Sequence, residues 1–243
     1  MRALILSAGK GTRLGLHARG FPKPLVPLGE YCSLIHQLKK LEGLGVSEVI
    51  VNTHQQHELF VETLNAVKFK LKVHLHNESE LLGTGGTLKL HIAWLAQSNF
   101  WVLHADNFFY YDLNRIKDTL SSTSPEIAGV MGSFKTLNFK NVGILKTNRH
   151  RVVEKIHEKK RFPHGLKGNA AIYFFKPTIV EYINELKDNE NDLSNHLIPK
   201  LLGKMKVVPL GGHFIDIGTP RKFRQAVKAA QSLSDKTENR GTN

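Results

Sequence analysis

Cysteine is almost absent from this sequence: Cys32 is the only one among 243 residues. A single thiol cannot form an intrachain disulfide, and a cysteine-rich zinc site lacks its ligands. Long hydrophobic runs are also missing: the uncharged run His91 to Ala105 is interrupted by polar residues at 97–99 and cannot cross a bilayer. The apolar stretch Ala3 to Leu6 is far too short for the core of a signal peptide. These absences predict a soluble, cytoplasmic protein with no membrane partner.

Acidic residues are scarce relative to basic ones, with 21 Asp+Glu against 34 Lys+Arg and a net charge of +13. Such a balance favours anionic partners, either phosphorylated metabolites or nucleic acid. A basic nucleic-acid-binding module is therefore an alternative on charge alone. The chain has no recognisable nucleic-acid-binding motif and no interleaving of aromatic with basic residues, so no nucleic-acid partner is expected.

The first half of the chain alternates short apolar runs with segments of helical periodicity. These patterns predict strands near Ala3–Ser7, Glu48–Thr53, Lys70–His76 and Phe100–Ala105, and helices near Leu34–Leu44, Gln55–Val67 and Thr87–Ala96. Strand–helix alternation is typical of a parallel sheet covered by helices on both faces. We therefore expect an α/β, Rossmann-like fold with a mostly parallel central sheet, whose ligands bind at the carboxyl ends of the strands.

The second half is less regular and is expected to form an added lobe, not an independent domain. Strands are predicted near Ile127–Phe134, Val142–Lys146, Arg151–Ile156, Ala170–Phe175 and Lys206–Pro209, and helices near Thr178–Leu186, Leu197–Leu202 and Pro220–Ser232. The expected organisation is one domain over residues 1–232, divided at about residue 112. The polar residues 233–243 are expected to form a frayed tail.

A glycine-containing loop, Gly9-Lys10-Gly11-Thr12-Arg13, directly follows the first predicted strand, and Pro22-Lys23-Pro24 comes shortly after it. Small residues let backbone amides approach phosphate oxygens closely. Arg13 can bind two phosphate oxygens with its planar guanidinium, and Lys23 supplies a point charge. The P-loop pattern is absent, and the dinucleotide-binding pattern fails because Leu14 takes the place of its last glycine.

Three further segments carry candidate chemistry. Gly83-Thr84-Gly85-Gly86-Thr87 opens a predicted helix and offers a second loop that a ligand can approach closely. Asp106 follows a buried strand, at the edge of the sheet where ligands bind, and Asp216 lies inside the apolar run Phe214–Thr219. A carboxylate is costly to bury without a cation or donors, so the two aspartates could share one Mg²⁺. The alternative for Asp216 is a helix N-cap or a turn.

Together these motifs resemble the signature of the sugar-1-phosphate nucleotidyltransferases. The resemblance rests, in chain order, on Ile5–Leu14 through Pro22–Leu25, Leu82–Gly86, Ala105–Asn107, Glu158–Lys159, Asn169–Tyr173 and Phe214–Pro220. Within the family the chain is most similar to the short guanylyltransferases acting on heptose or mannose 1-phosphate. The resemblance implies a GT-A-like nucleotidyltransferase fold with a nucleotide half at about 1–112, a sugar-phosphate half with an inserted acceptor lobe at about 113–232, and no C-terminal β-helix.

The resemblance also implies a role for each matching residue. The residues that would hold the triphosphate are Ala8, Gly9, Gly11, Thr12, Arg13 and Lys23. The residues that would face the base are Glu78, Gly83, Thr84 and Gly85. The residues that would hold the sugar phosphate are Gly143, Glu158, Lys159 and Asn169. Asp106 and Asp216 would hold Mg²⁺, the one implied cofactor, and with Arg13 and Lys23 they form the implied catalytic set.

The implied reaction joins an NTP and a sugar 1-phosphate into an NDP-sugar and pyrophosphate, with products of the kind used for cell-surface polysaccharides. Glu78 favours GTP, because an ionised carboxylate accepts only and guanine offers it two adjacent donors. The alternatives are a uridylyltransferase acting on an amino-sugar 1-phosphate and a metal-dependent glycosyltransferase. The expected grip of Arg13 and Lys23 on a triphosphate argues against the glycosyltransferase, since that enzyme binds a nucleoside diphosphate sugar.

Overall fold

The computed structural model describes residues 1–9, 20–137, 142–157, 166–211 and 213–238. Its strands are β1 (Arg2–Leu6), β2 (Glu48–Thr53), β3 (Lys72–Asn77), β4 (Phe100–His104), β5 (Asn107–Tyr110), β6 (Gly129–Lys135), β7 (Ile144–Thr147), β8 (Val153–His157), β9 (Lys167–Phe175), β10 (Met205–Pro209) and β11 (His213–Asp216). Its α-helices are α1 (Ser33–Gly43), α2 (His57–Asn65), α3 (Gly83–Leu95), α4 (Asn114–Ser121), α5 (Ile179–Asn184), α6 (Ile198–Lys200) and α7 (Pro220–Glu238). A 3₁₀ turn at Lys23–Leu25 and a π-helical turn at Leu193–Leu197 add to these.

The larger sheet follows the order β10-β6-β9-β4-β1-β2-β3 along its continuous path. β4, β1, β2 and β3 run parallel to one another, as the alternating pattern of the first half predicts. Ala3, Leu4 and Ile5 of β1 are fully buried, because helices cover both faces of the sheet. The carboxyl ends of these parallel strands meet at one edge, which is where the candidate site lies.

The antiparallel strand β9 connects the two halves, because it pairs with β4 on one side and with β6 on the other. β10 lies parallel to β6 at the end of the sheet. The β7–β8 hairpin joins β9 through the pair Ile144 and Gly168, and its Leu145 and Val153 side chains pack into the core. The predicted α/β class with a mostly parallel sheet in its first half is thereby confirmed, and the second half continues the same sheet.

Helices bury an apolar stripe on each side of the sheet. Leu34, Leu38 and Leu41 of α1, spaced at helical intervals, enter the core on one face. Leu88 and Leu95 of α3 enter the core on the other face. Each fully buried leucine stabilises the fold by about 1.5–3 kcal/mol relative to exposure. In the part of the chain that the structure describes, no helix is both long and apolar enough to cross a membrane.

Several elements differ from the sequence-based expectation. β5 and β11 form a separate two-stranded antiparallel sheet, and α4 occupies a segment for which no helix is predicted. α7 continues to Glu238 and so extends into the segment expected to be a frayed tail. The alternative of a helix N-cap or a turn for Asp216 does not hold, because this residue ends strand β11.

Cys32 directly precedes α1 and packs into the core on one face of the sheet. It is only 6% exposed. Burial raises the pKa of the Cys32 thiol, and this effect outweighs the opposing backbone hydrogen bonds. The thiol is therefore un-ionised near neutral pH and inaccessible to reagents in solution.

Candidate active site

Asp106 and Asp216 are brought together by the small antiparallel sheet. β5 begins directly after Asp106, and β11 ends at Asp216. The register pairs Asn107 with Asp216, and the Ile217 backbone N–H donates to the Asp106 carbonyl at 3.1 Å. Two carboxylates that are distant in sequence therefore lie side by side at the end of β4, as predicted from the sequence motifs.

Lys23 lies between the two carboxylates. Its ammonium nitrogen is 2.5 Å from Asp106 Oδ2 and 3.1 Å from Asp216 Oδ1. The 3₁₀ turn buries this side chain to 7% exposure, and a buried ammonium is costly without anionic partners. Lys222 Nζ lies at the outer side of Asp216, 4.0 Å from its Oδ2. The sequence predicts Lys23 as a phosphate ligand, and the structure adds this double ion pair.

The electrostatics of the cluster keep Asp106 ionised. Burial raises the pKa of the Asp106 carboxyl, but the charge and the hydrogen bond of the Lys23 ammonium outweigh this effect and leave the pKa below its usual range. Burial lowers the pKa of His104, against the attraction of Asp106 and Asp192. The imidazole is therefore neutral near pH 7, beside an Asp106 carboxylate that remains charged.

The two aspartates suit a magnesium ion better than a metal held by protein alone. Among the residues with described positions, no group of three or more His, Cys, Asp or Glu side chains is placed to hold a metal. Asp106 and Asp216 nevertheless converge on one point, now marked by the Lys23 ammonium. Mg²⁺ typically takes one or two carboxylates and completes its shell with water and substrate phosphates. The residues present fit that pattern.

A cavity of about 450 Å³ opens at the carboxyl ends of β1, β2 and β3. Its walls include most of the described residues predicted to bind a nucleotide: Ala8, Gly9, Lys23, Glu78, Gly83 and Thr84. Asp106 and His104 also line this cavity. Gly85 does not line this cavity, because its backbone N–H donates to the Asn191 carbonyl at 2.7 Å.

Glu78 lies in this wall, but its carboxylate is already bonded to the protein. It is 3% exposed; Oε1 accepts from Asn52 Nδ2 at 2.8 Å and from Thr87 Oγ1 at 2.5 Å. Oε2 accepts from the Leu82 backbone N–H at 3.2 Å. Asn52 Oδ1 in turn accepts from the Ser7 N–H at 2.7 Å. This network opposes the expected pairing of Glu78 with a guanine edge, because a base would have to replace the protein's own donors.

A second cavity of about 240 Å³ adjoins the aspartates on the side of the added lobe. Gly143 and Asn169, both predicted to hold the sugar phosphate, line it together with Asp106 and Asp216. The register of β9 against β6 shifts between Met131 and Ser133, opposite Asn169 and Tyr173. Ala171, in the shifted segment, has a positive φ of 51°. Such bulges redirect side chains beside active sites, and here Asn169 bonds Tyr173 Oη at 2.8 Å.

Sequence reasoning missed part of this second cavity. Asp192, Ser194 and Asn195 line it from the π-helical turn and its N-cap, and Phe134 stacks on Phe214 with ring centroids 4.2 Å apart. The segment containing the three polar residues follows a run of charged and polar residues and reads as an exposed loop. No motif marks it, and only its position beside the aspartates identifies it.

His104 lines both cavities, at the boundary between them. Its Nε2 is buried and has no hydrogen-bond partner among the described residues. The remaining predicted residues, which are Gly11, Thr12, Arg13, Glu158 and Lys159, lie outside the described residues. Their roles stay predictions.

The two adjoining cavities meet at the paired carboxylates and Lys23. A family model described as "Nucleotidyl transferase" matches residues 2–232 of the sequence. The chain therefore belongs to the nucleotidyl transferase family, as its motifs suggest. The match spans both halves of the fold and the whole of the candidate site.

Curated relatives carry more specific names. The chain is 31% identical over 230 residues to mannose-1-phosphate guanylyltransferase 1 of Arabidopsis thaliana and 28% identical over 229 residues to a mannose-1-phosphate guanyltransferase of Aspergillus oryzae. Each alignment includes 92% of this chain. It includes 63% and 62% of these relatives, so the chain spans less than two thirds of their length.

Solved structures agree on the architecture. A chain from Bacillus anthracis described as a glucose-1-phosphate thymidylyltransferase superposes with a TM-score of 0.82 over 95% of both chains, at 20% identity. HddC from Yersinia pseudotuberculosis superposes with a TM-score of 0.75 over 94% of this chain and 98% of its own, at 26% identity. HddC has also been solved in complex with GMP-PN. The predicted nucleotidyltransferase fold is confirmed.

Proposed function

We propose that this protein transfers a nucleotidyl group from an NTP to a sugar 1-phosphate, and that it forms an NDP-sugar and pyrophosphate. The observation that carries the proposal is the convergence of Asp106, Asp216 and Lys23 where the two cavities meet. One cavity has room for a nucleotide and the other for a phosphorylated sugar. Their junction is the position at which the two phosphates must react.

In the reaction, an oxygen of the sugar phosphate attacks the α-phosphorus of the NTP. A new P–O bond forms there, the bond between the α-phosphorus and the bridging oxygen breaks, and pyrophosphate leaves with that electron pair. A sugar phosphate has its second pKa at about 6 and is largely dianionic at pH 7, so no general base is required. The protein's tasks are to align the two substrates and to stabilise the added charge.

The charged side chains at the junction match these tasks. Lys23 is fixed on both aspartates and lies beside the cavity wall formed by Ala8 and Gly9. Its ammonium can stabilise negative charge on the α-phosphoryl group. Asp106 and Asp216 would hold Mg²⁺, which would neutralise phosphate charge when bound. Arg13 is proposed to bind the triphosphate and Lys159 the sugar phosphate, as the family motifs imply.

We further propose GTP as the preferred nucleotide and a mannose-type or heptose-type 1-phosphate as the acceptor. The names of the curated relatives and the GMP-PN complex of HddC support guanine. The buried Glu78 carboxylate does not support it, so the preference rests on those similarities.

A matrix of four NTPs against several sugar 1-phosphates, read by pyrophosphate release with added Mg²⁺, tests the proposal. Mannose, glucose, N-acetylglucosamine and heptose 1-phosphates are suitable acceptors. We expect release with GTP and a mannose-type or heptose-type acceptor. Release with UTP and the amino sugar would instead identify a uridylyltransferase. A folded protein that released no pyrophosphate but transferred sugar from an NDP-sugar would be a glycosyltransferase.

A further inference from the structure

The turn that opens helix α3, residues 83–86, lies against the backbone of Asn191. Gly83 has a φ of +75°, and a Cβ on this residue would lie 2.5 Å from the Asn191 carbonyl oxygen. A Cβ on Gly85 would lie 3.0 Å from the Asn191 carbonyl carbon. The sequence predicts close approach of a ligand at these glycines, whereas the structure shows close approach of the backbone that leads into the π-helical turn.

Hydrogen bonds join the same two segments. The Gly85 and Gly86 backbone N–H groups both donate to the Asn191 carbonyl, at 2.7 and 3.3 Å. The Leu193 backbone N–H donates to Thr84 Oγ1 at 2.8 Å. Two amides at the start of α3 are thereby used within the protein. Of the side chains at 83–86, Thr84 is the one whose hydroxyl bonds the π-helical turn.

The segment held in this way forms one wall of the smaller cavity. We call Asp192, Ser194 and Asn195 the acceptor wall, because all three line that cavity. The wall is internally rigid: Asp192 Oδ1 accepts from the Asn195 N–H at 2.7 Å, and the Asp192 N–H donates to His196 Nδ1 at 3.0 Å. A rigid turn moves as one body, so its attachment determines where its polar groups point.

We propose that Thr84, with the glycines on either side of it, is a positioning residue for the sugar phosphate, although it lies in the wall of the nucleotide cavity. This inference rests on the proposed function. Gly83 and Thr84 line the larger cavity, while Asn191 and Leu193, which are bonded to this turn, flank Asp192 in the lining of the smaller one. The turn at 83–86 therefore links the two cavities. The Thr84 hydroxyl acts on the smaller cavity through the hydrogen bond that it accepts from the Leu193 N–H.

The test compares Thr84→Val, which keeps the shape and removes the acceptor oxygen, with Thr84→Ser, which restores a hydroxyl. Loss of one hydrogen bond of this kind corresponds to about a five- to tenfold change in an equilibrium constant. We expect Thr84→Val to raise KM for the sugar 1-phosphate about five- to tenfold and to leave KM for the NTP within about twofold. Thr84→Ser should recover most of the loss.

Thr119→Val is the matched control, because its hydroxyl bonds only the Arg115 carbonyl within α4, far from both cavities. It should change neither KM. If Thr84→Val does not fold, Gly85→Ala replaces it, since the new methyl would press on Asn191 and Asp192 without altering any hydroxyl. The same selective rise in KM for the sugar phosphate is expected.

Equilibrium binding of the NTP alone, measured by calorimetry, separates the possible failures. A rise in KM for the NTP, or weaker NTP binding, without an effect on the sugar phosphate would overturn the inference and assign Thr84 to the nucleotide. Equal effects on both substrates would also overturn it. An inactive wild-type protein across the whole substrate matrix would refute the proposed function itself, which the wild-type assay reports before any variant is made.

Discussion

Replacing Glu78 by glutamine tests the buried network on the wall of the larger cavity. The carboxylate accepts from three donors, on Asn52, Thr87 and the Leu82 backbone. Glutamine keeps one oxygen and replaces the other by an NH₂ group. If the NH₂ group faces Leu82, it opposes the Leu82 backbone N–H, and both groups are donors. If it faces Asn52, two amide donors oppose each other, and Asn52 cannot turn over because its oxygen already accepts from Ser7.

Either orientation leaves one buried donor without an acceptor. Thr87 does not relieve the conflict. Its hydroxyl can donate to the Gly83 carbonyl, 3.0 Å away, but its oxygen already accepts from Asn52 and provides no acceptor for the second Asn52 N–H. An unsatisfied buried donor costs about 1–3 kcal/mol. We therefore expect Glu78→Gln to lower the free energy of unfolding by about 1–3 kcal/mol. Urea denaturation of the full chain measures this change.

Glu80→Gln is the matched control, since the same chemical change is made two residues further on at an exposed position. It should leave stability unchanged. In the enzymatic assay, Glu78→Gln should lower kcat/KM for GTP and UTP by similar factors, because it moves the cavity wall and removes no base contact. A variant as stable as the wild type that lost its preference for GTP would refute this reasoning. It would restore the sequence-based expectation that the carboxylate reads guanine.

Three further predictions concern the junction and helix α1. Asp106→Ala and Asp216→Ala should each nearly abolish pyrophosphate release while circular dichroism stays native, because one carboxylate cannot hold Mg²⁺ in the required geometry. Lys23→Ala should lower kcat by roughly 10²–10³-fold in steady-state assays, as loss of one preorganised charge does. Burial lowers the pKa of His36 to about 4, so stability should fall as pH drops from 6.5 towards 4, because the unfolded chain takes up the proton first. Denaturation midpoints of His36→Gln should change less with pH over that window, and a slope equal to that of the wild type would contradict the assignment.

The sequence predicts elements with strong local patterns and misses those that depend on distant partners. The expected strand Glu48–Thr53 matches β2, because a continuous apolar run needs no further context to indicate a buried strand. β5 and β11 are four residues each, and they pair with a partner that is distant in the sequence. The sequence-based expectation omits α4, although its buried residues Ile116 and Leu120 are four apart, as on one face of a helix.

The site shows the same division between local motif and tertiary contact. Asp106, Asp216 and Lys23 are each found from a motif, and the structure brings them together. The motifs do not reveal that Lys23 bonds both aspartates, or that Glu78 is occupied by Asn52. Those facts depend on which strand ends meet at the edge of the sheet. A short sequence motif does not specify which residues lie next to it in the folded protein.

The buried thiol of Cys32 makes the protein suitable for site-specific labelling. Maleimide dyes react with an accessible thiolate, and this thiol is enclosed by the core and has a raised pKa. A cysteine introduced at Leu137, which is 76% exposed, would be the one readily reactive thiol in the chain. A fluorophore there would lie three residues from Phe134, which lines the smaller cavity, in a protein that keeps its native cysteine.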